Sequence, residues 1–468
     1  MHYEDLLFTL PETRFDTGEP SDKLDPTAPI LPQLGRRALD ISSIELNADF
    51  RKAIDLVDGG ENVFITGRAG SGKSTLLRYL LAKTDRTVAC LAPTGLAAIT
   101  VGGQTIHSFF RFPPTLIEPD QLRPSRNADL MRRLEMLIID EISMVRADLM
   151  EGVDAALRLN RRTPGRPFGG VQMVIVGDPF QLSPIVRGQE LMDYFRRNYG
   201  GPYFFQAPAL TAAPFHMVDP QKVYRQADTV FLDMLNDIRE RRLESDALSM
   251  LNKRVVRFTS LKDREGYVTL TPTNEAAFQI NMAFLKRLPD PEVAFTATIA
   301  GKFDENAYPT DPTLCIRHGA RVMMINNHRD KRWVNGTIGI VNALGPNELR
   351  VEVDGSTHNV ERYTWENVEY SFDWTTNQVK QKVIGTFQQY PIRLAWALTI
   401  HKCQGQTFDR VCLDLGRGAF AHGQTYVALS RCTSLEGIAL TRPIFPSDVI
   451  MDESVCGYRS VFRRSYAE

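Results

Sequence analysis

From Leu46 onward, short apolar runs alternate with stretches of helical spacing. NVFITG (62–67) has strand length and ends in glycine, and TLLRYLLAK (75–83) behind it spaces its leucines along one helix face. TVACLA (87–92), MLIID (136–140) and VQMVIVGD (171–178) repeat the strand pattern, with helical stretches between them. Near-continuous apolar strands alternating with helices predict an α/β domain, its parallel sheet covered on both faces. The pattern breaks over 110–127, FRFPPTLIEPDQLRPSRN, where four prolines between Pro113 and Pro124 exclude a helix interior. Two readings stay open there. The segment is an ordinary surface loop, or a stiff projection whose apolar Phe110, Phe112, Leu116 and Ile117 meet something outside the domain.

A second lobe is expected to begin near Met217, with VTLTPTNEAAFQIN (268–281) reading as strand, turn and helix. Over 315–392 the period drops to two in ARVMMI, TIGIVNAL and LRVEVDG, with hairpin signals at Asn335-Gly336 and Asp354-Gly355. The α/β texture resumes at RLAWALTIHKCQG (393–405) and DRVCLDL (409–415). The chain thus divides into a first domain over 43–215, a second over 216–314 and 393–468, and an inserted small β-barrel over 315–392. Residues 1–42 hold five prolines and little apolar periodicity, and read as an extended arm.

Composition adds limits. At 468 residues the chain exceeds one ordinary core, and 43% hydrophobic with 24% charged residues is the balance of a soluble globular protein. The net charge of −1 means that any nucleic-acid footprint must be local. Six cysteines without a CxxC pair are the usage of a reducing compartment. No run approaches the roughly 18 apolar residues of a membrane span. The first forty residues carry eight acidic and four basic side chains, which fits neither a signal nor a transit peptide. The expected location is the cytoplasm, in association with the nucleoid.

The chemistry begins at GRAGSGKST, between a strand and a helix, which satisfies the phosphate-loop pattern. Gly67, Ala69, Gly70, Ser71, Gly72, Lys73, Ser74 and Thr75 would wrap backbone N–H groups around phosphates. Lys73 would reach the β and γ phosphates, and Ser74 would bind magnesium. Asp140-Glu141 ends an apolar strand beside that loop, where Asp140 can hold the metal and Glu141 can polarise the attacking water. Adjacent acids at a strand end also commonly cap the next helix. Gln181 in GDPFQLSPI lies within reach of the γ-phosphate as a sensor, or belongs to an ordinary turn on Asp178-Pro179. Arg225 in VYRQ and Arg431 in YVALSR, the latter 358 residues downstream of Lys73, suit the stabilisation of transition-state charge from a second lobe.

The ordered set GRAGSGKST, APTGLAAITVGGQTIHSFF, LIIDEISMV, PFGGVQMVIVGDPFQLSPI, VYRQ, LTPTN, LTIHKCQGQTFDRV and YVALSRCTSLEGI resembles the superfamily-one type B DNA helicases, and most closely the petite-integration-frequency (Pif) helicase family. The resemblance runs from about Leu46 to Pro443. It implies two RecA-like P-loop motor domains, a wedge in the first at about 110–127 and a Src-homology-three-like barrel in the second. It also implies ATP and magnesium as cofactors, 5′ to 3′ translocation on single-stranded DNA, and unwinding at single-strand/duplex junctions by a monomer. G-quadruplex and R-loop structures remain open as further substrates. Alternatives are a RecD- or Dda-like motor, or a DNA-dependent NTPase that remodels nucleoprotein without separating strands.

By the same resemblance Gly405 belongs to the nucleotide site. Thr94, Gly95, Thr105, His107, Ser108, Asn274, Thr399, His401 and Lys402 would face DNA, and their hydroxyls, amides and imidazoles suit phosphate contacts. Phe109 and Phe110 would stack on bases. The run Arg158, Arg161, Arg162 and Arg166 is a basic stripe or a solvated helix face. The family usually carries an adenine-reading glutamine ahead of the phosphate loop. Here Phe50 takes its place, so strict selectivity for ATP does not carry over.

Overall fold

A computed structural model describes residues 44–464, except 114, 126–127, 187, 227, 261, 265, 331, 347 and 374–377. The arm expected over 1–42 lies outside the described residues. A seven-stranded sheet forms the first lobe, in the order Arg463–Arg464, His216–Val218, Val63–Ile65, Gln172–Val176, Met136–Ile139, Val88–Ala92, Gln104–Thr105. Every pairing is parallel. Its three central strands, Val63–Ile65, Gln172–Val176 and Met136–Ile139, are buried at every residue. This is why they read as apolar runs without alternation. Helices Ala48–Asp58, Lys73–Lys83 and Ala147–Arg161 bury apolar residues of their own within the lobe.

The second lobe has a four-stranded parallel sheet, Ala397–Thr399, Val268–Thr271, Val411–Leu413, Ile438–Leu440. Helices Thr229–Arg239 and Gln424–Leu429 pack on its core. The all-β insertion is longer than expected. It begins with Val293–Thr296, well before residue 315, and ends at Ile392–Leu394. Within it an antiparallel five-stranded sheet runs Ser356–Asn359, Glu348–Val353, Ile338–Gly345, Arg321–Met324, Ile392–Leu394. Asp354 and Gly355 both have positive φ, 48° and 76°, so this pair is the tight turn that its sequence signals. Asn335-Gly336 instead lies in the long connection 325–337, where Gly336 meets the side chain of Gln406.

Two boundaries differ from expectation. His216–Val218 does not open the second lobe. It pairs with Val63–Ile65 and completes the first sheet. Residues 453–464 do not belong to the second lobe either, because Arg463–Arg464 pairs with His216–Met217 and adds a further strand to the first sheet. Tyr458 and Phe462 place their rings 6.0 and 4.5 Å from that of Phe64. The second lobe is therefore inserted within the first, because buried aromatic surface near the end of the described chain finds its complement there.

The proline-rich segment also resolves. Phe110, Phe112 and Ile117 are buried in the first lobe's own core and Leu116 packs against it, so they do not meet an outside surface. Asp148 accepts the Ile117 N–H at 2.8 Å and pairs with Arg146 at 2.8 Å, while Arg146 also donates to Thr115 O at 2.9 Å. Gly152 makes room, since a Cβ there would stand 2.6 Å from Ile117 Cγ2. No helix among the described residues is long and apolar enough to cross a membrane. Gly152→Ala should overpack this junction and lower stability by about 1–3 kcal/mol, read from denaturant midpoints. Unchanged stability would show that the segment yields freely.

A candidate nucleotide site between the lobes

Strand Val63–Ile65 delivers the chain into a loop that only glycine could close. Gly67, Gly70 and Gly72 all have positive φ. A Cβ at Gly70 would lie 2.6 Å from Arg225 Cβ, and one at Gly72 would lie 2.8 Å from the Phe50 ring. Helix Lys73–Lys83 starts at Gly72 without a side-chain cap, which leaves its first N–H groups as donors for an anion. Lys73 Nζ folds back onto Gly67 O at 2.6 Å and Arg68 O at 2.9 Å. Burial lowers the Lys73 pKa, against the pull of Asp178 and Glu141. Ser74 and Thr75 are exposed on the first turn, and Ala69 and Ser71 are buried.

The acidic pair follows strand Met136–Ile139. Burial raises the Asp140 pKa, while the Glu141 N–H donated to Asp140 Oδ1 at 2.8 Å, Lys73 and Arg78 oppose it. Glu141 sits in the left-handed region at φ 49°, a strained conformation for a non-glycine residue. Burial and the neighbouring Asp140 push Glu141 up to about 7. Arg431 is among the groups that pull it back down, so the distant arginine faces this carboxyl across the cleft. Gln181 is buried, with its carbonyl against Gly423 of the second lobe.

Arg225 and Arg431 meet here. Arg225 donates to Ser430 O at 3.2 Å, and burial together with Arg431 lowers its pKa to about 9. Arg431, 2% exposed, donates to Val427 O at 3.0 Å, Gln406 O at 3.4 Å and Ser430 Oγ at 2.9 Å. Among the described residues neither guanidinium donates to a carboxylate. Gly405, at φ 76°, adjoins the Gln406 carbonyl beside Arg431. Two guanidiniums thus meet beside Lys73 without a hydrogen-bonded carboxylate of their own, and a polyphosphate would supply the anion. Phe50 is buried where a base-reading amide was expected, and its ring lies 6.4 Å from that of Tyr224. The Asn47 amide beside it is occupied: Oδ1 accepts the Phe50 N–H and Nδ2 donates to Tyr224 Oη.

The residues assigned to DNA divide into groups. Ser108, Asn274 and Lys402 are exposed, and Thr94, Gly95, Thr105, His107 and His401 are half-buried. Thr94 and Thr105 use their hydroxyls to cap helices at Ala97 and Ser108. Burial lowers the pKa of His107 and His401. Thr399 departs from expectation. It is 4% exposed and its hydroxyl accepts the Lys402 N–H at 3.3 Å, so it shapes the turn that carries His401 and Lys402.

Phe109 and Phe110 depart as well. Phe109, 2% exposed, packs between Phe110 at 4.9 Å and Tyr370 at 5.7 Å and is not a stacking platform; Phe110 is buried with it. Arg161 spends its guanidinium on Met131 O, Arg132 O, Leu134 O and Gly169 O, which removes it from a basic stripe.

Several residues escaped sequence reasoning. Tyr370, on the insertion hairpin Tyr363–Asp373/Gln378–Gln389, accepts the Cys90 N–H at 3.2 Å and donates its own N–H to Gln104 Oε1. Ala307 of the insertion stands 2.5 Å from a Cβ built at Gly95. The insertion therefore covers part of the motifs that the sequence assigned to DNA. Asp178, Arg239 and Tyr426 form a buried cluster between the lobes. The available signal was polar residues inside otherwise apolar motifs, Asp178 in VIVGDPF and Tyr426 in YVAL.

Residues 45–206 match the family model described as PIF1-like helicase. The chain is 32% identical over 437 residues to the ATP-dependent DNA helicase Pif1 of Bdellovibrio bacteriovorus, covering 91% of this chain and 94% of that relative. It spans 59% of a longer relative, the ATP-dependent DNA helicase PIF1 of Emericella nidulans. Unliganded Pif1 from Bacteroides sp superposes with a TM-score of 0.81 at 38% identity, over 89% of this chain and 97% of that one. Bacteroides Pif1 bound to ssDNA gives 0.64 over the same shares.

A carboxyl group with a pKa of about 7 is half protonated at neutrality, and only its ionised form accepts a proton from water. Nucleotide hydrolysis at this site should therefore rise as the pH increases through 7. Glu141→Gln should remove that limb and lower kcat by roughly a hundredfold or more, measured as phosphate release across pH.

Proposed function

The chain belongs to the PIF1-like helicase family, and from that membership we propose that it is an ATP-dependent DNA helicase that moves 5′ to 3′ along single-stranded DNA. The observation that carries this reading is the convergence of Lys73 from one lobe with the buried Arg431 from the other on the half-buried Glu141. Hydrolysis of one nucleotide then changes the attraction between two bodies, and a strand gripped by both is advanced. In this reading Ser74 and Asp140 hold magnesium, which supplies charge neutralisation at the phosphates when bound. Their oxygens are the hard donors that magnesium takes while it keeps waters and phosphate ligands. Glu141 orients water and accepts its proton, and the two arginines stabilise charge on the transferred group.

The strand lies along Thr94, Gly95, Thr105, His107 and Ser108 of the first lobe and Asn274, His401 and Lys402 of the second, with mostly phosphate contacts that do not read sequence. The protein acts as a monomer at a single-strand/duplex junction, and G-quadruplexes are included among its substrates. Phe50 and the occupied Asn47 amide support tolerance toward other nucleoside triphosphates.

The test is a pair of duplexes with a 5′ or a 3′ single-stranded tail, with ATPase measured in parallel. Unwinding is expected for the 5′ tail alone, together with stimulation of ATPase by single-stranded DNA. Lys73→Ala should still bind single-stranded DNA but neither hydrolyse ATP nor unwind. Unwinding by this variant, or preference for the 3′ tail, would overturn the reading.

A further inference from the structure

The two lobes are already joined at one buried point. Asp178, directly after strand Gln172–Val176 and Gly177, pairs with Arg239 at the end of helix Thr229–Arg239, with 2.8 Å between Nη2 and Oδ1. Both side chains are almost wholly buried, and the guanidinium also lies 4.1 Å from the centre of the Phe180 ring. Burial would raise the Asp178 pKa, but Arg239 and Lys73 outweigh it and hold the carboxyl below its ordinary range. The carboxylate is thus a fixed anion set between lobes.

Tyr426 adds a third party. It lies on helix Gln424–Leu429, whose chain runs directly on to Arg431. Its hydroxyl donates to Asp178 Oδ2 at 3.3 Å and accepts the N–H of Ala69 at 2.9 Å. Ala69 belongs to the phosphate loop, whose backbone N–H groups form an anion cradle. A tyrosine of the second lobe thus occupies a cradle donor that a phosphate oxygen can also use. A buried N–H left without any partner costs about 1–3 kcal/mol, so one acceptor or the other must be present.

We propose that Tyr426 is a positioning residue that reports occupancy of the phosphate loop to Arg431. When a nucleotide's phosphate chain takes the Ala69 N–H, the Tyr426 hydroxyl is released to Asp178 alone. The helix that carries it then shifts, and Arg431 moves with that helix toward the γ-phosphate. Only hydrogen bonds exchange, and no covalent bond changes. The assignment deepens the ATP-driven reading and rests on it.

Tyr426→Phe tests it, because the ring still fills the core while both hydrogen bonds are lost. With the hydroxyl gone, nucleotide no longer competes for the Ala69 N–H. ADP and a non-hydrolysable ATP analogue should therefore bind roughly fivefold more tightly or better, the lower range of one buried N–H regained. At saturating ATP and single-stranded DNA, kcat should fall tenfold or more while KM also falls. A residue that only packs would weaken binding or leave it unchanged, so a folded variant with wild-type or weaker affinity overturns the proposal. Thermal melting establishes folding, and Tyr426→Met serves if the phenylalanine variant does not fold. If the wild-type protein itself neither binds nor hydrolyses ATP, the ATP-driven reading fails as well. Wild-type activity with an unaltered Tyr426→Phe variant sinks the positioning role alone.

Discussion

Positive charge that the polypeptide compensates only in part is the constraint around which this molecule is organised. Arg431 is buried and Lys73 and Arg225 are half-buried, and the two arginines donate to carbonyls and a hydroxyl instead of carboxylates. Burying a charge away from solvent is unfavourable unless something compensates for it. Here the polypeptide supplies partial compensation through Asp178, Glu141 and main-chain dipoles. The remainder is left for a ligand with several negative charges. A triphosphate bound in this cleft would supply that negative charge. The same logic explains why the three cations come from distant parts of the sequence. Were they all on one lobe, neutralisation would tighten a pocket and move nothing.

Local backbone strain belongs to the same arrangement. Glu141 holds a left-handed conformation next to Asp140, where desolvation and like charge raise its pKa to about 7. The side that carries the threonine-rich motifs is arranged differently. Thr94, Thr105 and Thr399 direct hydroxyls into helix caps and a turn, so they hold the backbone to which neighbouring groups are attached. Ala307 and Tyr370 of the insertion rest on this same surface, and the all-β body is thereby anchored by a tyrosine that satisfies a sheet N–H group at Cys90.

What was legible in the sequence was local. The phosphate loop, the Asp140-Glu141 pair and the Asp354-Gly355 turn each need particular residues at consecutive positions, and the structure forms all three. Long-range complementarity was not legible. His216–Val218 is three residues long and carries no mark of which sheet it joins. Tyr458 and Phe462 look like the close of the second lobe until their rings are seen to pack on Phe64 of the first sheet. Phe109 illustrates a further limit. It lies on the five-residue helix Ile106–Phe110, too short for a period to tell the inward face from the outward one. Tyr426 was within a recognised motif, yet its partners Ala69 and Asp178 are hundreds of residues away, and only the folded chain brings them together.

The return of residues 453–464 to the first sheet has a mechanical consequence. The second lobe is attached to the first by two separate chain crossings, one after His216–Val218 and one before Glu453–Ser460. A body held by a single tether can swivel in any direction, but a body held at two points turns mainly about the line that joins them. His422, which touches Pro179 O at 3.0 Å and accepts the Asp452 N–H at 3.0 Å, sits close to the second of these crossings. The lobes are thus built like a door on two pins. The chain path itself restricts how the two lobes can turn relative to each other.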